Sequence, residues 1–285
     1  MSPQPQQIGI YRVLETLSSG LHTIYKVQGP GSKPLALKTA VQKDLSPDEL
    51  RRFLREAEVC SELDHRNLMQ VFDSGEADGI LYQAMDLLVG ADWATVLASG
   101  RALTWPQKIS MMQQACEGME YAHKSGLVHR SLQPSNLFLE DSGRVRILDF
   151  GKVSVDMTAG NSLGITMMFQ SYTSPELVRG GACTAASDVF ALGSIFYELC
   201  TGRHPFGQTA RSLAELIDDI MRLTPPPVTT IVPDAPPYLD HVLQQALNKD
   251  PASRPADAGA LRALMAQASA RAAAHPAYFT VEGDV

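Results

Sequence analysis

The run Leu127-Val128-His129-Arg130-Ser131-Leu132-Gln133-Pro134-Ser135-Asn136-Leu137-Phe138-Leu139, with Ile147-Leu148-Asp149-Phe150-Gly151 shortly after it, decides the fold. The two pieces read as a short hairpin with the Asn136 amide at one end and the Asp149 carboxylate at the other. Oxygen donors placed this way suit a hard cation and the phosphate it escorts. Taken alone, either piece has a blander reading, as a polar turn or a single acidic loop.

Working outward, the chain falls into two unlike halves. Residues 10 to 39 carry short runs of Val, Ile, Tyr and Leu broken at Ser18-Ser19-Gly20 and Gly29-Pro30-Gly31-Ser32, which predicts three antiparallel strands. Ser46-Pro47-Asp48-Glu49 is a capping box with proline at the first helical position. It predicts a helix to about Leu63 with Leu50, Phe53, Leu54 and Ala57 on one face. Strands near Leu68 to Phe72 and Ile80 to Met85 complete a five-stranded sheet with one main helix. After Gly90 the period changes to that of helices: Thr104-Trp105-Pro106-Gln107 caps one to about Lys124, and Val189, Leu192, Ile195, Phe196 and Leu199 mark another that stops at Thr201-Gly202. Further helices are expected around 210 to 222, 238 to 248 and 256 to 272. The fold class is therefore α+β.

Composition narrows the function. The 285 residues are 45% hydrophobic, enough for a buried core in one domain or two joined lobes, which excludes a disordered chain. Twenty-four Lys and Arg against 31 Asp and Glu give a net charge of -7, so a nucleic-acid partner is not expected. No run nears the roughly 20 apolar residues that span a bilayer, and Met1-Ser2-Pro3-Gln4 lacks the basic and apolar regions of a signal peptide. A cytoplasmic location without a membrane partner is the expectation. Cys60, Cys116, Cys183 and Cys200 lie far apart and read as reduced thiols, and the histidines at 22, 65, 123, 204, 241 and 275 share no metal-ligand spacing.

The quoted motif resembles the catalytic loop and metal-binding segment of the eukaryotic-type (Hanks-type) serine/threonine protein kinases, H-R-D-x-x-x-x-N followed by D-F-G. The resemblance runs from about residue 9 to 272 and implies a bilobal fold. It divides the chain into a linker at 1–8, an N-lobe at 9–85, a hinge and C-lobe at 86–272, and a tail at 273–285. Leu35-Ala36-Leu37-Lys38 resembles the strand carrying the ATP-binding lysine, and Glu56 is placed like the helix glutamate paired with it. Asn136 and Asp149 resemble the magnesium ligands. Ile24, Ala36 and Phe138 resemble the residues that sandwich adenine, and Met85, Asp86 and Leu87 the hinge that meets its edge. Val71, Cys60, Phe150 and His129 resemble the stacked side chains joining the lobes, with Asp188 holding their base. Glu176 and Arg254 resemble a paired glutamate and arginine of the C-lobe. ATP and magnesium are the implied ligands, and a protein signalling partner is the implied audience.

The departures fall on the chemistry. Ser131 stands where the family has the aspartate that accepts the substrate proton, and a hydroxyl neutral at pH 7 cannot do so as a carboxylate does. Gln133 replaces the lysine that offsets charge on the transferring phosphoryl group. Phe169 takes the place of a threonine that completes this network, although Thr166 nearby offers a hydroxyl. The glycine-rich turn Ser18-Ser19-Gly20-Leu21-His22 keeps only Gly20 of three glycines, so side chains hinder the approach of backbone amides to phosphate. Loss of a general base costs roughly 10²–10⁴ in rate and of one electrostatic stabiliser roughly 10²–10³, and the two are not additive. The resemblance with these departures implies a pseudokinase that binds ATP with magnesium and acts as a switch or scaffold. An active, atypical Ser/Thr kinase and a nucleotide-free interaction module are the alternatives. Ser154, Thr158, Ser162, Thr166, Ser171 and Thr173 read either as regulatory hydroxyls facing Arg130 or as a solvated loop, and Met167-Met168-Phe169 as an apolar patch packed on its own lobe.

Overall fold

The computed structural model describes residues 5–20, 22–31, 33–150 and 172–274. The expectations for Thr166, Met167, Met168, Phe169 and the hydroxyls of 154 to 171 lie outside the described residues, as does His275. An N-terminal antiparallel sheet with one long helix precedes a mostly helical region, as the sequence pattern predicts.

The sheet has six strands in the order β1-β2-β3-β4-β6-β5, built from β1 (Gln7–Ile8), β2 (Tyr11–Ser18), β3 (Thr23–Gln28), β4 (Pro34–Val41), β5 (Val71–Ala77) and β6 (Ile80–Asp86). The strand beyond the expected five is β1. Ile8 is buried and pairs with Tyr11 after a turn at Gly9, whose φ is +55°. Two residues are too few to show an alternating pattern, so sequence alone passes over them. The fourth expected strand also moves. Leu68 bridges to Ile147 and Met69 N–H donates to Ile147 O at 2.8 Å, so this segment is tied to the other half of the molecule and β5 starts only at Val71.

Helix α1 (Pro47–Glu62) starts at the capping box: Ser46 accepts from the Glu49 amide while Glu49 accepts from the Ser46 amide. Its buried face is Phe53, Glu56, Ala57, Val59 and Cys60. Leu54, expected on that face, is 52% exposed, because it is one residue out of the stripe that Phe53 sets. A chain from 90 to 147 then gives β7 (Gly90–Asp92), α2 (Trp93–Ala98), α3 (Trp105–Lys124), β8 (Leu137–Glu140) and β9 (Val145–Ile147), the three strands forming a small sheet of their own. Helix α3 opens on its own capping box, Thr104 with Gln107, and ends before Gly126, whose φ of +76° only glycine adopts at little cost.

The remainder is helical: α4 (Pro175–Val178), α5 (Ala185–Thr201), α6 (Leu213–Arg222), α7 (Val228–Ile231), α8 (Tyr238–Ala246) and α9 (Ala258–Ala274). Helix α5 is buried almost all round, which its unbroken apolar run predicts, and stops at Gly202 in the left-handed conformation. One apolar core runs from Val59, Cys60 and Val71 through Ile147 and Phe150 into α3, α5, α8 and α9. It passes beneath the polar motif and holds it from below. No described helix is long and apolar enough to cross a membrane, and all four cysteines are free thiols.

Candidate nucleotide site

Strand β4 points Lys38 inward, where it is 9% exposed, and α1 brings Glu56 to meet it. Lys38 Nζ donates to Glu56 Oε1 and Oε2 at 2.9 and 2.8 Å and to Asp149 Oδ1 at 3.0 Å. One ammonium therefore serves two carboxylates, and the three groups come from three separate parts of the chain. Burial alone would lower the lysine, but Glu56 and Asp149 push it above its ordinary value. Burial, aided by Asp149, raises Glu56 against the downward pull of Lys38. Asp149 would also rise on burial, yet Lys38 holds it down to about 2, so it stays ionised and fit to take a cation.

The polar motif is positioned by a single carboxylate. Asp188, at the start of α5, accepts the His129 N–H at 2.7 Å and the Arg130 N–H at 2.9 Å, and its Oδ2 also meets His123 Nε2 at 3.0 Å. Arg130 and Asp149 both adopt positive φ, 68° and 60°, which costs each on the order of 1–3 kcal/mol for a side chain bearing a Cβ. The His129 and Phe150 rings lie 4.8 Å apart, and Phe150 shares the core with Cys60 and Val71.

Across the β8–β9 hairpin, the Leu148 N–H donates to Asn136 O at 2.9 Å, setting Asn136 beside the residue that leads into Asp149. Asn136 Nδ2 donates to Ser131 O at 2.9 Å, which closes the loop on itself. An amide oxygen and an ionised carboxylate are the hard donors magnesium takes, the rest of its shell being water and phosphate. When bound, the ion would neutralise phosphate charge; Asn136 and Asp149 are the residues that would hold it. Among the described residues no group of three or more His, Cys, Asp or Glu forms a metal cluster.

These features meet in one comparison. The family model for the protein kinase domain matches residues 12–268. The chain belongs to the protein kinase domain family. Three similar proteins come from bacteria. Serine/threonine-protein kinase PrkC of Bacillus subtilis is 32% identical over 207 residues, 72% of this chain and 32% of its own length. Serine/threonine-protein kinase PknL of Mycobacterium tuberculosis is 32% identical over 252 residues, 86% of this chain and 62% of its own length. Serine/threonine-protein kinase pkn3 of Myxococcus xanthus is 32% identical over 268 residues, covering 89% and 49% respectively. The chain spans between about a third and 62% of the length of these relatives.

Within this kinase domain the other sequence-named residues fall as follows. Ile24, Leu87, Leu88 and Leu148 pack on Ala36, Met69 and Met85 in one small apolar cluster, a wall suited to a flat ring. Phe138 lies half-buried on β8 opposite Arg146, and the residue that packs on this wall from the hairpin side is Leu148. Asp86 is held at the end of β6 by Arg146 at 2.7 Å and Lys33 at 3.4 Å. Sequence reading passed over Arg146. The signal was there: a charge set between Val145 and Ile147, with all three side chains buried in β9.

The kinase turn bearing Gly20 is exposed, and a Cβ there would meet nothing nearer than His22 O at 3.8 Å. Ser131 Oγ is buried and has no hydrogen-bond partner among the described residues. The loop thus carries a hydroxyl shielded from solvent at position 131. Farther down, Arg254 is bidentate to Glu176 at 2.9 and 2.8 Å, the pair the sequence names.

Proposed function

We propose that this chain is a protein kinase domain that binds ATP with magnesium between its lobes and transfers phosphate to protein only very slowly, its output being the nucleotide-bound state offered to a protein partner in the cytoplasm. The observation that supports it is Lys38 bridging Glu56 and Asp149 while position 131 carries a hydroxyl. In phosphoryl transfer the substrate oxygen bonds to the γ-phosphorus, the bond to the ADP oxygen breaks, and the hydroxyl proton must leave. Here Ser131 has no basic site for that proton, and Gln133 brings a dipole where a cation would offset the moving charge. Lys38, Glu56, Asn136 and Asp149 keep the groups that grip the phosphates. Nucleotide shifts the balance of open and closed lobes only as far as it binds one form better than the other.

A second reading, a working Ser/Thr kinase, is favoured by the relatives, each of which is called a serine/threonine-protein kinase. In it Asp149 or a phosphate oxygen takes the proton and Lys38 covers for Gln133. The two readings separate in one assay: transfer of labelled γ-phosphate to a generic protein substrate by the wild type, by Lys38→Met, and by the pair Ser131→Asp with Gln133→Lys. The proposal expects wild type near the Lys38→Met background and the double variant at least about a hundredfold above it. Brisk wild-type turnover that Lys38→Met removes would hand the case to the second reading.

A further inference from the structure

His22 sits on the glycine-rich turn and plays no part in the resemblance. The register pairs Thr23 with Thr39 and Ile24 with Lys38. Side chains alternate along a strand, so Ile24 shares the sheet face that carries Ala36 and Lys38, and His22 immediately precedes that strand. Ile24 and Ala36 belong to the apolar wall described above, and His22 lies within the electrostatic reach of Lys38 and Asp149. Its ring leans on Phe53 of α1 with centroids 5.6 Å apart, and Phe53 lies one turn before Glu56.

The electrostatic surroundings fit that position. Burial, then the Lys38 ammonium, hold the imidazole below its ordinary value, against smaller upward pulls from Asp149 and Glu49. His22 is therefore a neutral ring where the fields of Lys38 and Asp149 meet. Its Nδ1 is buried and has no partner among the described residues. A shielded nitrogen near an ammonium is best left as a bare lone pair, which puts the ring's one proton on Nε2, at the opposite edge.

We infer that His22 binds nucleotide, its Nε2–H donating to a phosphate oxygen of ATP or ADP. The inference rests on the Mg-ATP reading above and adds to it a side-chain donor on a turn that has lost two glycines. Backbone amides are hindered there, and an imidazole reaches past the backbone to the same oxygen. This predicts a grip on the phosphates, with none on the base or sugar.

The test is titration calorimetry of Mg-ATP, Mg-ADP and adenosine against the wild type, His22→Leu and His22→Gln. Leucine keeps the volume against Phe53 without the donor, and glutamine returns an N–H near the place of Nε2. A hydrogen bond to a charged oxygen is worth about tenfold in affinity. His22→Leu should lose about that factor for ATP and ADP and hold adenosine within about twofold, with His22→Gln close to wild type. Equal or tighter ATP binding by His22→Leu overturns the inference, and so does an equal loss for adenosine. His22→Ala takes the place of His22→Leu if that variant does not fold. A wild type that binds no Mg-ATP would instead bring down the functional reading itself, an outcome seen before any variant is compared.

Discussion

Replacing Arg254 with methionine removes a guanidinium whose side chain is wholly buried and whose donors are all engaged. Besides the two bonds to Glu176, it donates to Asn248 O at 2.6 Å, Ala186 O at 2.9 Å and Lys249 O at 3.2 Å. Methionine fills much of the volume and satisfies none of these acceptors, and it strands the Glu176 carboxylate. Breaking a buried ion pair by deleting one partner costs about 3–5 kcal/mol, and the larger end is expected here because three carbonyls also lose a donor. Urea unfolding at pH 7 reads that loss directly. Acid supplies a second readout with a definite sign. Burial would raise Glu176, but Arg254 and Ser187 hold it at about 2 against an ordinary 4.5. A carboxyl lowered in this way contributes stability that is full above its ordinary value and is lost as pH falls through about 2. In Arg254→Met the carboxyl keeps its burial without its partner, so it rises and takes a proton readily. The gap between wild type and variant should therefore shrink between pH 7 and pH 4. A gap under about 1 kcal/mol at pH 7, or one that widens on acidification, would refute the assignment of this pair as a stabilising buried unit.

Lys38→Met should abolish the thermal shift given by Mg-ATP, which for wild type at a hundred times Kd amounts to about 2.7 kcal/mol of added stability, as read by differential scanning fluorimetry. Arg146→Met deprives Asp86 of its nearer cation and should destabilise by about 3 kcal/mol in urea, whereas the swap Asp86→Arg with Arg146→Asp should recover part of that loss. Gly193→Ala on α5 places a Cβ 2.8 Å from the Ala246 Cβ and 3.3 Å from Leu247 Cδ2. Alanine favours the helix by about 1 kcal/mol while overpacking opposes it by about 1–3, so the melting temperature should fall.

Local signals carried much of the architecture. The capping boxes at Ser46 and Thr104 and the stop at Gly202 are contests among neighbours in sequence, and each starts or ends its helix where the pattern says. What escaped the sequence depends on distant partners. Gln7–Ile8 becomes a strand because β2 offers it an edge, and Leu68 leaves the sheet for Ile147. The positive φ of Arg130 is invisible in its side chain, a type that avoids it; Asp188, 58 residues away, imposes it. The site divides the same way. Lys38, Glu56, Asp149 and the Arg254–Glu176 pair follow from motif spacing. Arg146 and His22 act through contacts across the fold, with Asp86 and with Phe53 respectively.

The carboxylate of Asp188 grips backbone amides and never touches the side chain at 131. These two bonds hold the backbone of that loop without using the side chain at 131. An acid placed at 131 would find the loop already held from its far side, so the mounting and the position it presents are separate parts.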